Sequence, residues 1–257
     1  MSHQDLLYET KGHTAWITIN RPAARNALTT EVMDLFQEYL TRAEADDQVR
    51  VICITGAGDK AFCAGADLAA AADSPDPLAA ARKYAGLLKR LAVFPKPLAA
   101  RVNGHCVAGG LGLMLSCDVV YARDGSKFGT PEVNVGLFPM MIGALIFRNA
   151  LRKKAQEMIY TARMYSAVEA EEMGLITRVY PPEEFDRAVN EVLETIADKG
   201  PLALKIGRQA LAAVGEMDLA NALDYLCRKL GEVAATEDAT EGLLAFLEKR
   251  KPEWKNR

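Results

Sequence analysis

Hydrophobic and polar positions recur along this chain regularly enough to mark its elements. Thr14–Ile19, TAWITI, alternates with a period of two and predicts a strand, which Asn20-Arg21-Pro22 breaks. Ala23–Leu28 reads as a loop leading to Thr29-Thr30, where Thr30 is placed to cap a helix running to about Ala45. Val32, Leu35, Phe36 and Leu40 share the apolar face of that helix. Val49–Thr55, VRVICIT, is a β-branched run of the kind that fills a buried parallel strand, and Gly56-Ala57-Gly58 ends it. Lys60–Leu68, KAFCAGADL, is small and tightly turned, with Gly65 free to take an unusual backbone conformation. Residues 69–77 are rich in Ala, Asp and Pro and predict a mobile connection.

A helix is expected over Leu78–Val93, a short strand over Pro97–Val102 and another over Val119–Ala122. Lys127–Pro139 is a loop-rich apolar segment around one carboxylate, Glu132. Beyond Pro139 the pattern turns helical. Ile142–Arg163 predicts one long or broken helix, Ser166 caps a short helix ending at Gly174, and Leu175–Val179 predicts a last strand. Pro181–Lys199, Pro201–Val214 and Leu219–Lys249 are helical. The chain therefore divides into a mixed α/β core, about residues 1–198, and a helical tail, about 199–257.

Composition changes this picture little. Of 257 residues half are apolar and a quarter charged, with a net charge of −3, which describes an ordinary soluble protein and argues against a nucleic-acid partner. No apolar run reaches the roughly 18 residues that a membrane span needs, and the polar start lacks a signal-peptide core. The five cysteines are odd in number and form no C-x-x-C pair, which fits free thiols in a cytoplasmic location. Three scattered histidines and dispersed cysteines offer no metal-ligand set.

The stretch Asn103–Asp118, NGHCVAGGLGLMLSCD, carries more chemistry. It follows a strand and opens a helix, with Gly104, Gly109, Gly110 and Gly112 at the junction. Amides at such a junction have no intrahelical partner and suit an anion or a developing oxyanion. The spacing matches neither a P-loop nor a dinucleotide fingerprint. Close packing of a buried helix on a sheet explains the same glycines equally well.

The segments AFCAGADL, KPLAARVNGHCVAGGLGLMLSCD, FGTPEVNVGLFP, SAVEAEEMGLITRVYP and EGLLAFLEKRKPEW, in this order and spacing, resemble the enoyl-CoA hydratase/isomerase, or crotonase, family over nearly the whole chain. The resemblance implies a spiral of ββα units with a C-terminal helical region used in trimer assembly, often paired into hexamers. It implies an acyl-CoA thioester as substrate, with coenzyme A arriving as part of that substrate and no further cofactor. Two backbone amides, mapping onto Ala66 and Gly109, would bind the thioester oxygen. Ala24, Ala64, Gly65, Asp67 and Leu68 would line the substrate path, and Phe246 and Lys249 would meet the adenine and phosphates, often from a neighbouring subunit. Read from residue type alone, Asp67 also suits a helix cap, Phe246 a core position and Lys249 a solvated charge.

The family's hydratases carry two glutamates 20 residues apart. The second maps onto Glu132, beside Pro131; the first maps onto Gly112, which has no side chain. Pro131 and Gly112 are therefore expected to face the substrate. One carboxylate can take a proton from one carbon and return it two carbons away, which is double-bond isomerisation. Pro131, Val133, Val135, Leu137, Phe138, Met140 and Met141 are expected to wall Glu132 and raise its pKa. Three readings follow: an isomerase using Glu132; a hydratase, decarboxylase or hydrolase with a second polar group from residues 69–84, such as Asp73, Asp76 or Tyr84; and a CoA- or RNA-binding homologue. His105 reads as packing rather than catalysis.

Overall fold

The computed structural model describes residues 5–67, 76 and 78–257. Leu68, Asp73 and, apart from Asp76, the connection over 69–77 lie outside the described residues.

Two sheets organise the chain. The larger holds β1 (Leu6–Lys11), β2 (Thr14–Ile19), β3 (Val51–Gly56), β5 (Leu98–Val102), β7 (Val119–Arg123) and β10 (Arg178–Tyr180), in that spatial order. Only β1 pairs antiparallel, through a hairpin with β2; the other neighbours are parallel. The smaller sheet holds β4 (Ala61–Cys63), β6 (His105–Val107), β8 (Lys127–Gly129) and β9 (Tyr165–Ser166). Each of β3, β5 and β7 is thus followed by a short strand of the second sheet. The first two of these pairs lead on toward α2 (Ala79–Ala92) and directly into α3 (Gly109–Leu115), and β2 is followed by α1 (Thr30–Ala45). This is a mixed α/β fold built from repeated ββα units.

The apolar run that predicts β3 is buried at all six positions, because both of its faces are covered. Ile52 and Ile54 join the main core with Phe36, Leu40, Leu87 and Leu91 from α1 and α2. Val51 and Cys53, pointing the other way, pack with Phe185, Val189 and Leu193 of α7 (Pro182–Ala197).

Several boundaries differ from expectation. The cap of α1 is Thr29, whose Oγ1 accepts the Val32 N–H at 3.2 Å, rather than Thr30, which is already helical. The helix expected over 142–163 is two, α4 (Met140–Asn149) and α5 (Arg152–Thr161), separated at Ala150-Leu151. After the short α6 (Ala167–Glu172), Leu175 and Ile176 are buried in a turn, and β10 begins only at Arg178. α8 spans Pro201–Val214, and the segment 219–249 is two helices, α9 (Leu219–Ala234) and α10 (Glu237–Leu247), because Thr236 caps a new start by accepting the Ala239 N–H.

α8 is tied to the core by Arg208, which binds the Asp118 carboxylate and the carbonyls of Leu91 and Phe94. α9 buries none of its residues in the single chain, and Leu230 and Leu243 are exposed, so these apolar positions do not pack over the core. Among the described residues no helix is long and apolar enough to cross a membrane. Cys53, Cys63 and Cys106 are buried free thiols, while Cys227 is exposed.

α6 starts with a reciprocal capping box, in which Ser166 Oγ accepts the Glu169 N–H and the Glu169 carboxylate accepts the Ser166 N–H. Ser166→Ala is expected to cost about 1 kcal/mol of stability. A thermal melt should show it as a Tm lower by about 2–4 °C at this chain length, with turnover unchanged.

Candidate active site

The loop after β4 is laid down against the loop before α1. Leu28 N–H donates to the Gly65 carbonyl at 2.7 Å, Asp67 N–H to the Leu28 carbonyl at 2.9 Å, and Ala64 N–H to the Arg25 carbonyl at 3.1 Å. The Arg21 guanidinium binds Asp67 Oδ2 at 3.0 Å and so cross-links the two loops. Buried Asn26 donates to the Ala57 and Ala61 carbonyls at 3.0 and 2.7 Å. Asp67 therefore braces the loop and caps no described helix.

The second loop arrives from β6, which was not foreseen as a strand. Ala108 takes φ +50°, a conformation that costs a residue with a side chain about 1–3 kcal/mol. It turns the chain so that α3 starts at Gly109. Neither the Ala66 nor the Gly109 amide donates a hydrogen bond to another described residue. The two loops touch at their backbones: a β-carbon on Gly65, whose φ is +90°, would stand 2.7 Å from the Gly109 nitrogen and 2.8 Å from the Ala108 β-carbon. Both sequence readings of the glycines hold at once, since a β-carbon on Gly110 would also collide with the Cys63 backbone.

Glu132 sits in a 3-10 turn, Pro131–Val135, at the end of β8. Pro131 fixes the first φ of the turn, and Gly136 at φ +75° ends it. The Leu137 N–H closes it on the Glu132 carbonyl at 3.0 Å. Thr130, fully buried, ties the preceding residue to the Met158 carbonyl of α5. The carboxylate is half-buried, and its Oε2 is buried with no hydrogen-bond partner among the described residues. Burial raises the Glu132 pKa above 4.5, and a hydrogen bond from its own backbone opposes that shift in part. Of the apolar wall expected around it, Pro131 and Val133 are half-buried and the other residues are exposed. Val135 is 67% and Met140 71% exposed, and Leu137, Phe138 and Met141 face outward as well. These side chains stand at the surface, while the Glu132 Oε2 is turned inward.

The position of the absent glutamate is not empty. A β-carbon on Gly112 would overlap the Tyr84 hydroxyl, with Tyr84 Cζ at 3.0 Å and Ile142 Cγ2 at 2.8 Å. Tyr84 comes from α2 and is buried with Leu87, Leu88 and Leu91, and its hydroxyl donates to the Gly109 carbonyl. Burial holds this phenol protonated, aided by the neighbouring Cys63, Cys106 and Glu132 groups. Of the two described candidates for a second polar group, Asp76 and Tyr84, it is Tyr84 that is brought here. Asp76 pairs with Arg82 and accepts the Leu78 N–H at the exposed start of α2. Tyr84 lies on the apolar stripe of its helix, so periodicity alone reads it as core.

Ala24 and Ala64 are half-buried on the two joined loops, Ala66 is exposed and Pro131 half-buried. Phe246 and Lys249 lie at the outer end of α10, exposed in the single chain; Phe246 is 79% exposed and so is not core. His105 accepts the Lys127 N–H and lines a groove of about 700 Å³ with Arg25, Lys60 and Arg123, a groove that contains neither Glu132 nor Gly109. Among the described residues no group of three His, Cys, Asp or Glu side chains could hold a metal ion.

A family model described as enoyl-CoA hydratase/isomerase matches residues 9–257. A probable enoyl-CoA hydratase of Mycobacterium bovis is 35% identical over 258 residues, covering the whole of both chains. A short-chain-enoyl-CoA hydratase of Clostridium acetobutylicum is 34% identical over 264 residues, again the whole of both. The crystal structure of an enoyl-CoA hydratase from Bacillus anthracis superposes with a TM-score of 0.94 at 32% identity, covering 99% of this chain and 100% of that one.

Gly65→Ala forces the two loops apart. It is expected to lower kcat/KM by at least about 10²-fold, the scale of one lost oxyanion donor, as measured with an enoyl-CoA substrate. The raised Glu132 pKa gives a second outcome. Its neutral form is favoured on folding, so its contribution is fully present below 4.5 and is lost as pH rises through the folded value. Thermal melts of wild type and Glu132→Gln should therefore diverge as pH rises from 4.5, with the wild type losing ground.

Proposed function

The chain belongs to the enoyl-CoA hydratase/isomerase family, and from that premise we propose that it moves the double bond of an enoyl-CoA thioester, with Glu132 as the one proton carrier. The observation that carries this reading is the pairing of a half-buried carboxylate at Glu132, its Oε2 without a partner among the described residues, with a glycine at position 112. The thioester oxygen is bound by the free amides of Ala66 and Gly109. The Glu132 carboxylate removes a proton from C2 of a 3-enoyl-CoA, and the electron pair moves through the carbonyl carbon onto the oxygen. The resulting dienolate is stabilised where its charge develops. The carboxylic acid then returns the proton to C4, leaving a 2-enoyl-CoA with no atom gained or lost.

Desolvation helps this step, because a carboxylate with a raised pKa is the stronger base near neutrality. Coenzyme A enters as part of the substrate, and the reaction calls for no other cofactor. In this reading Ala24, Ala64, Gly65 and Pro131 border the thioester. Phe246 and Lys249 meet the nucleotide end from a neighbouring copy, in a homotrimer or hexamer assembled through the uncovered faces of α8–α10. Their outward position in the single chain supports that arrangement. Buried free thiols support a cytoplasmic location.

The names of the relatives favour a second reading, addition of water across a 2-enoyl-CoA. Product analysis separates the two. On the first reading Glu132→Gln loses about 10²–10⁴-fold in isomerisation or more, while affinity for a non-reacting acyl-CoA is kept. Rapid hydration by the wild type, undiminished in Glu132→Gln, overturns both the reaction and its base. Light scattering checks the assembly: a trimer or hexamer at micromolar concentration is expected, and a stable monomer contradicts it.

A further inference from the structure

The Tyr84 phenol stands where a second carboxylate would have to begin. Its oxygen overlaps the position of a β-carbon on Gly112, and Ile142 closes the same space from the other side. Gly112 itself is buried. The ring cannot swing away cheaply: it belongs to the buried stripe Tyr84, Leu87, Leu88 and Leu91, which packs α2 into the main core beside α1.

The hydroxyl also has a fixed partner. It donates to the carbonyl of Gly109, the residue whose N–H is free. A carbonyl at the first position of a helix already accepts from the amide four residues on, so this bond is additional and pins the peptide that follows the one carrying the free amide. The phenol is held neutral by burial and by Cys63, Cys106 and Glu132 nearby. A neutral phenol cannot take the proton of an attacking water. A water on this face would therefore meet an aromatic ring and a spoken-for hydroxyl, with Glu132 its one available base among the described residues.

We propose that Tyr84 is the specificity-determining residue of this site: by filling the volume beside Gly112 it denies a hydrating water its place and commits the thioester to proton transfer by Glu132. This rests on the reading of Glu132 as the proton carrier. One consequence is that Gly112→Glu alone has no room for a second carboxylate while Tyr84 is present.

The test compares Tyr84→Ala, Tyr84→Phe and the double variant Tyr84→Ala/Gly112→Glu, each incubated with matched 2-enoyl- and 3-enoyl-CoA. Products are quantified as hydroxyacyl-CoA and isomerised enoyl-CoA, and affinity for a saturated acyl-CoA and the thermal melt are recorded beside them. Tyr84→Ala is expected to raise the ratio of hydration to isomerisation by at least about tenfold, the scale on which one change of pocket volume discriminates, and the double variant should raise it further. Tyr84→Phe keeps the ring and should keep the wild-type ratio. A folded, thioester-binding Tyr84→Ala with the wild-type ratio overturns the proposal, and so does a Tyr84→Phe that shifts the ratio as far as Tyr84→Ala, since the ring, whose Cζ lies 3.0 Å from the β-carbon position, would then not be what excludes the water. If Tyr84→Ala does not fold, Tyr84→Leu shortens the side chain without emptying the space and is judged by the same ratio. Glu132→Gln separates the two failures. If it is inactive while Tyr84→Ala leaves the ratio unchanged, only the role of Tyr84 fails; if it stays active, the reading of Glu132 fails with it.

Discussion

Everything at this site depends on the backbone contact between Gly65 and Gly109. Two loops from different parts of the chain meet there with no side chain between them, because a single β-carbon on Gly65 would stand 2.7 Å from the Gly109 nitrogen. Each loop is held by its own frame. The first is stitched to the loop before α1 through Leu28, Arg25 and the Arg21–Asp67 pair; the second is turned by Ala108 at φ +50° and hung on the Gly129 carbonyl. Strain at Ala108 and a left-handed Gly65 are retained because the surrounding structure leaves no alternative. The two amides left over have no partner within the described protein, so a bound oxygen is the group that would complete them.

Around that contact lie two buried polar groups, one without a partner and one satisfied. The Glu132 Oε2 is buried without a partner among the described residues, and the Tyr84 hydroxyl donates to the Gly109 carbonyl. An orphaned buried carboxylate costs folding free energy and gains basicity, a combination typical of functional sites. Tyr84 supplies the complementary feature. It is bulk where the chemistry of water addition would want charge, and it comes from α2, remote in sequence from both loops.

The sequence was informative about elements that bury a regular face and poor on those that do not. The run VRVICIT foretold β3 because both of its faces are covered, and α1 and α2 followed from their apolar stripes. β1 escaped notice because only Leu6 among its residues is buried. β4, β6 and β8 are three residues each, too short for a period to register, and they were read as turns and loop. Glu132, Ala66 and Gly109 were named as candidates through the family resemblance. The surroundings of Glu132 were not legible, because Val135, Leu137, Phe138, Met140 and Met141 stand outward, which alternation along a chain does not reveal. Tyr84 could be named as a candidate, but its meeting with Gly112 is a tertiary fact, set by how α2 packs beside α3.

The claim that one carboxylate carries the proton is tested most directly by isotope transfer. A 3-enoyl-CoA deuterated at C2 is converted in ordinary water, and the product is examined for deuterium at C4. The account predicts a 2-enoyl-CoA in which part of the label has moved from C2 to C4, carried by a carboxylate whose Oε2 is shielded from solvent. Recovery of the 3-enoyl-CoA unconverted, or a 2-enoyl-CoA with no deuterium at C4, would contradict it.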